Sequence, residues 1–326
     1  MPKQKIHFRG FLTNTDSSIL NVTLKHDFKI EVLSLGDAIE FVKTVEKAPI
    51  PIAGPKLTSD FPCNNLKENK VYLVSNSFDI DLDLDLEKNG NLFPYKRFFK
   101  IYDFKTDYID DYLTSVIRLM RLFREGNIHM PYEYFFFYKN EVPTKIMGLR
   151  RDASISRISI LNFKNSEIKE LEQFIHNTKL PFKEKHLQLA FESFELSYHI
   201  ATLGIPFLLL MMSMESLFNP TGQGELRYRI SRNTAVLIGK NKRDSESIWK
   251  NMKKLYDKRC YIVHKGESNI VTKENLLLLR DYARRSIKEF YNMGKGKDDI
   301  LDILNSTGFG DKPWLNKNIE DKNVEY

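Results

Sequence analysis

Two residues stand at a spacing that could support acid–base chemistry on an anion: Arg259 and His264, in the string Arg259-Cys260-Tyr261-Ile262-Val263-His264. A histidine titrates near neutral pH and can take or give a proton, while a guanidinium can hold a phosphate and oppose charge that develops on it. The bare R-x4-H spacing is a weak signal, because 16 arginines and 7 histidines in 326 residues give about 0.3 chance matches per chain. A second match runs from Arg124 to His129, but Gly126 within it and Pro131 just beyond break it out of any helix. We take that copy as the coincidence.

Context separates the two. A helix expected over Ser245–Val263 carries Ile248, Met252, Leu255 and Ile262 at a 4-3-4-3 spacing, and Arg259 falls on the same stripe. A guanidinium on an apolar stripe is expensive to desolvate, so it needs an acid, a phosphate or a cleft. Glu215 shows the same anomaly on a very apolar helix expected over Pro206–Phe218. The structural reading of these residues is an ion-pair network among Glu215, Arg232 and Arg259. His264 lies roughly 140° around an ideal helix from Arg259, so the two converge only if the helix ends or bends there, as Gly266 allows. A histidine at a helix end also serves simply to oppose the helix dipole.

Other patterns read more simply. Asp79, Asp81, Asp83 and Asp85 alternate with Ile80, Leu82 and Leu84, which describes a strand with one acidic face rather than a calcium loop. The aromatic block from Tyr132 to Tyr138 reads as a core strand in preference to a base-stacking platform. Glycine-rich phosphate loops, H-E-x-x-H pairs and G-x-S-x-G elbows are absent from the sequence, which argues against phosphate-loop ATPases, zinc proteases and serine hydrolases.

The elements that must position the pair lie in a distinctive part of the chain. Residues 1–200 are nearly neutral, residues 201–297 carry 19 basic and 9 acidic side chains, and residues 298–326 carry 3 and 7. A basic excess confined to one segment makes a polyanion a reasonable partner. Cys63 and Cys260 cannot form a disulfide framework and fit a reducing cytoplasm. The first residues lack an apolar signal region. The longest apolar stretch, Ile200 to Met212, is 13 residues, against the roughly 20 needed to span a membrane. The expectation is a cytoplasmic protein with no membrane partner and no cofactor or metal.

The first half alternates strand and helix signals. Strands are expected at Ile19–Lys25, Phe28–Leu33, Val71–Val74, Asp79–Leu86, Tyr134–Tyr138 and Ile155–Leu161, with helices at Asp37–Glu46 and Asp110–Arg124 and a proline-rich loop through Pro49, Pro51, Pro55 and Pro62. From Asn165 the period becomes helical. Helices are expected near Glu167–Thr178, Lys183–Leu203, Pro206–Phe218, Leu226–Gly239, Ser245–Val263 and Lys273–Asn292.

The string Leu255-Tyr-Asp-Lys-Arg-Cys-Tyr-Ile-Val-His-Lys-Gly266, preceded by Leu208-Leu-Leu-Met-Met-Ser-Met-Glu215-Ser-Leu and Ile230-Ser-Arg232-Asn-Thr-Ala-Val-Leu-Ile-Gly239, resembles the ApeA-like branch of the HEPN superfamily over about residues 165–292. The resemblance implies a dimerising helical bundle that cleaves RNA at paired R-x4-6-H motifs, commonly in antiviral defence or toxin-like growth arrest. It makes Arg259 and His264 the catalytic pair, and we take Glu215, Arg232, Asp257 and Tyr261 as candidate supporting or RNA-binding residues. RNA brings its own nucleophile, the 2′-hydroxyl, so proton transfer and charge stabilisation suffice without a metal and leave a 2′,3′-cyclic phosphate. Where many members carry a polar Asn, Asp or His after the arginine, this chain has Cys260. The alternative is a catalytically silent HEPN dimer that binds nucleic acid or a partner. The expected fold is therefore an α+β N-terminal domain followed by an all-α HEPN-like bundle. Its divisions are 1–163 for sensing or targeting, with an unknown trigger, 164–294 for the helical domain and 295–326 for a loose tail.

Overall fold

The computed structural model describes residues 3–46, 69–81, 103–150, 159–219 and 225–315. The chain forms two compact units, one of Met1–Ala153 with Arg157–Thr178, the other of Ser154–Ser156 with Lys179–Tyr326. Cys63, Asp83, Asp85, the proline-rich loop and most of the strand expected at Ile155–Leu161 fall outside the described residues.

The first unit is built on a five-stranded antiparallel sheet in the order β2-β3-β1-β4-β5. Its strands are β1 (Lys3–Thr13), β2 (Lys29–Ser34), β3 (Lys70–Asp81), β4 (His129–Lys139) and β5 (Val142–Arg150). Helix α1 (Leu35–Glu46) covers one face with Ala38, Phe41, Val42 and Val45 against Phe11, Leu73, Tyr132, Tyr134 and Phe136. The other face packs on a π-helical run, Lys105–Leu113, that continues as α2 (Thr114–Phe123), and on α3 (Ile168–Asn177). A sheet covered on both sides buries every residue of a central strand. That is why β4 is buried from His129 to Phe137 and can be aromatic on both faces. Asn140 and Glu141, at φ 49° and 67°, make the two-residue turn of the β4–β5 hairpin.

Two expectations are corrected here, and one strand is added. Ile19–Lys25 is not a strand. Ser17–Asn21 is a 3-10 turn capped by Asp16, whose carboxylate accepts the Ser18 N–H at 2.9 Å, and it buries Ile19 completely. Central strand β1, absent from the sequence reading, carries the alternation Lys5-Ile6-His7-Phe8-Arg9. Helix α3 was assigned to the helical domain, yet Ile168 and Leu171 are buried in the core beneath the sheet, and the division falls after Thr178 rather than after residue 163.

The second unit is helical: α4 (Lys185–Leu196), α5 (Gly204–Phe218), α6 (Leu226–Ile238), α7 (Lys242–Lys265), α8 (Lys273–Met293) and α9 (Lys297–Ser306). Helix α5 packs on α4 and α8, and α6 packs on α7 and α8. Helix α7, which carries the R-x4-H motif, has defined ends. Asn241 accepts the Asp244 N–H at 2.9 Å, and Gly266, at φ 71°, returns its N–H to Ile262 O at 2.8 Å. The helix expected to reach Leu203 stops at Leu196, because Ser197 turns its hydroxyl onto Phe194 O and its own carbonyl accepts from Arg280 Nη2 at 3.0 Å. The stretch 295–326 is not loose throughout. Helix α9 buries Ile300, Leu301 and Leu304 and carries Asp298 and Asp299 at its positive end. Among the described residues no helix is long and apolar enough to cross a membrane.

Candidate functional site

Helix α7 turns Met252, Leu255, Tyr256 and Ile262 into the core. Arg259 lies between Tyr256 and Ile262 and meets Glu215 of α5, with Nε 3.0 Å from Oε1 and Nη2 donating to Oε2 at 3.5 Å. The side chains are 28% and 22% exposed, so the pair sits at the edge of the core, where charge still reaches water. Oε1 is shielded from solvent and receives no aligned hydrogen bond, so its contact with Arg259 is ionic rather than a directed bond. Arg259 Nη1 has no hydrogen-bond partner among the described residues. The guanidinium lies 5.8 Å from the centre of the Tyr256 ring. Burial, followed by the Glu215 charge, pushes the Tyr256 hydroxyl above its ordinary pKa.

The other site residues are placed as follows. Arg232 does not join the pair. It donates from Nη1 to Leu304 O at 2.8 Å, and from Nη2 to Asn305 O at 3.2 Å and Thr307 O at 2.8 Å, closing the C-terminal end of α9. The three-member network is therefore a two-member one, since the last carbonyls of a helix absent from the sequence reading take the third member. Asp257 accepts both arms of Arg227, at 2.5 and 2.6 Å, on the surface. Tyr261 is exposed and donates to Glu267 at 3.0 Å, a bond that raises its hydroxyl pKa. His264 is exposed on the last turn. Helix α7 continues through Lys265, beyond the point where a bend would bring the motif together. Arg259 and His264 thus point about 140° apart, and one copy of the chain does not bring them to one point.

The second R-x4-H match is dispersed. Arg124 pairs with Glu167 at 2.6 Å, whereas His129 is buried between Asn127 Oδ1 at 2.6 Å and Arg121 Nη2 at 3.4 Å.

An exposed apolar stripe leads to the Arg259–Glu215 pair. On α5, Ile205 is 52% exposed and Met212 42%, with Leu208 and Leu209 half-buried between them. They precede Glu215 at helical spacing. On α7, Val263 is 52% exposed one turn beyond Arg259. Gly204 lies so close to Ser268 that a Cβ there would collide, while Glu215 meets Arg259 at the other end, so α5 and α7 run antiparallel. Met212 and Val263 each lie within about one turn of the pair and are left in water.

Two features escaped the sequence. Tyr256 was counted in neither the stripe nor the site, though it lies three residues before Arg259. A cleft of about 580 Å³ between α6 and α9 is lined by Tyr228, Arg229, Arg232, Asp298 and Asp302. It could not be foreseen without α9, whose apolar spacing of Ile300, Leu301 and Leu304 was the available signal. Among the described residues no group of three or more His, Cys, Asp or Glu is arranged to hold a metal. Cys260 is a free, half-buried thiol. In comparisons with known proteins, no family model matches the chain, and no match was found among curated proteins or solved structures.

Proposed function

We propose that the chain is a metal-independent endoribonuclease of HEPN type, acting at a composite site between two copies of its helical unit in antiviral defence or growth arrest. One observation carries the reading: the partly paired Arg259 guanidinium lies at the end of an apolar stripe that a single copy leaves in water. Clustered exposed apolar side chains mark an interface, and a two-fold pairing presents the same patch twice. Such a dimer brings two Arg259 and two His264 to one seam, which the 140° separation within one copy requires. In that seam His264 takes the 2′-hydroxyl proton or delivers one to the leaving 5′-oxygen. Arg259 uses its open Nη1 on the phosphate while Glu215 holds the other edge of the guanidinium. Asp257 and Tyr261 are engaged by Arg227 and Glu267, so they serve RNA binding rather than proton transfer. The first unit then senses or targets, in the cytoplasm.

Cys260 after the motif arginine favours the second reading, a silent binding dimer. The interface is tested by Ile205→Glu with Met212→Glu, two exposed positions that tolerate charge in a monomer. Light scattering should report a monomer and RNA cleavage should disappear, with tryptophan fluorescence unchanged. A wild-type chain that is monomeric across the micromolar range overturns the composite site. A dimeric wild type that leaves RNA intact in EDTA selects the silent reading.

A further inference from the structure

We propose that the solvent face of α7 is a track for the phosphate backbone of single-stranded RNA, ending at His264; it rests on the ribonuclease reading and names how that site receives its substrate. The helix carries eight lysines and arginines against three acids. Opposite its buried side, Arg243, Ser247, Lys250, Lys254, Asp257, Tyr261 and His264 follow one another at spacings of 4-3-4-3-4-3, and each of them is exposed. That line is roughly 30 Å long at 1.5 Å per residue.

A face that only needs water normally pairs its charges, with Glu four residues before Lys. Here Glu246 stands four residues before Lys250, yet no ion pair joins them among the described residues. Lys250 and Lys254 are like charges one turn apart, a pairing that destabilises a helix. Neither has an ion pair among the described residues. Asp257, the one acid on the line, is neutralised by the bidentate Arg227 of α6. The line therefore presents Arg243, Lys250 and Lys254 as free positive charge, then a 40% exposed tyrosine ring, then the histidine. Regularly spaced cations read a phosphate chain, and an exposed aromatic face takes a base. The order matters: charge first and ring last places a base beside the residue that must act on its ribose.

The test uses the full chain carrying His264→Ala, so that RNA survives, and a fluorescein-labelled single-stranded oligoribonucleotide followed by anisotropy at several salt concentrations. Each phosphate contact contributes a slope of about −0.7 to log K against log salt. Arg243→Gln, Lys250→Gln and Lys254→Gln together should flatten the slope by about 2, which is roughly an 18-fold smaller loss of affinity between 50 and 200 mM salt. Removing Lys179, Lys183 and Lys185, three exposed lysines at and before the start of α4, should leave the slope unchanged. Tyr261→Ala should weaken RNA binding at least about fivefold and leave binding of inorganic polyphosphate, which has no bases, unaffected. An unchanged slope in the triple variant, or polyphosphate competing as well as RNA with Tyr261→Ala silent, overturns the track. If the triple variant behaves as expected while the wild type never cleaves, the track stands and the enzyme reading falls.

Discussion

Replacing Glu215 by alanine leaves the Arg259 guanidinium at the core edge without its carboxylate, 5.8 Å from the centre of the Tyr256 ring. At 3.0 Å and an effective dielectric near 20, the gross attraction is about 5 kcal/mol. Desolvation and the ordering of two long side chains remove most of it. Fully exposed pairs retain roughly 0.2–1 kcal/mol, whereas removing one partner of a fully buried pair costs about 3–5 kcal/mol. Exposures of 28% and 22% place this pair between those limits, so each single alanine variant should lose about 1–2 kcal/mol and the coupling should be near 1 kcal/mol. For a unit of this size that is a fall in Tm of roughly 3–6 °C per single variant. The assay is a double-mutant cycle by urea titration of the full chain, followed by tryptophan fluorescence. The chain has two tryptophans, Trp249 and Trp314, and both lie in the second unit, so the signal reports that unit alone. A coupling of zero within about 0.3 kcal/mol would refute the claim that Glu215 holds Arg259 in place, and with it the claim that the guanidinium is preorganised for a phosphate.

Arg232→Ala removes three hydrogen bonds to the end of α9 and should cost about 2 kcal/mol, seen as faster amide exchange across Lys297–Ser306, with RNA cleavage unchanged. Burial holds His186 below its ordinary pKa of 6.5. The unfolded chain then takes up that proton first, so stability contributed by neutral His186 is complete above pH 6.5 and declines as pH falls below it. His186→Asn should flatten the loss of urea midpoint between pH 7.5 and 5.5, and an unaltered profile would count against this assignment. His129→Ala should destabilise the first unit by about 1–3 kcal/mol, because Arg121 and Asn127 lose a buried partner. Arg124→Ala and His129→Ala should both cleave RNA like the wild type, and a loss of cleavage in either would implicate the second motif.

The legibility of the fold followed the strength of each periodic signal. Helix α7 was readable because Ile248, Met252, Leu255 and Ile262 keep a 4-3 spacing that Arg259 alone interrupts, and α5 because a nearly continuous apolar run follows Pro206, in which Glu215 is conspicuous. Their contact was thus legible as a pair, though the chain gave no means of separating Arg232 from it. Arg232 is committed to α9, and α9 was hidden between Gly294, Gly296 and an acidic surround that resembles a tail. Strand β1 was missed although Lys5, His7 and Arg9 alternate with Ile6, Phe8 and Gly10, the period that places Ile6, Phe8 and Leu12 on one buried face. The separation of Arg259 from His264 depended on two residues of helix length, a boundary that sequence patterns fix poorly. Gly266 set it, and the helix ran past the histidine.

The central claim is that His264 transfers a proton in RNA cleavage. A 5′-labelled single-stranded RNA incubated with the purified full chain in EDTA tests it directly, comparing wild type with His264→Ala. His264 is exposed and its ring has no hydrogen-bond partner among the described residues, so its loss should leave the urea midpoint and RNA affinity nearly intact. The account predicts fragments ending in 2′,3′-cyclic phosphate from the wild type and none from the variant. Equal cleavage by a His264→Ala protein free of contaminating nuclease would contradict it.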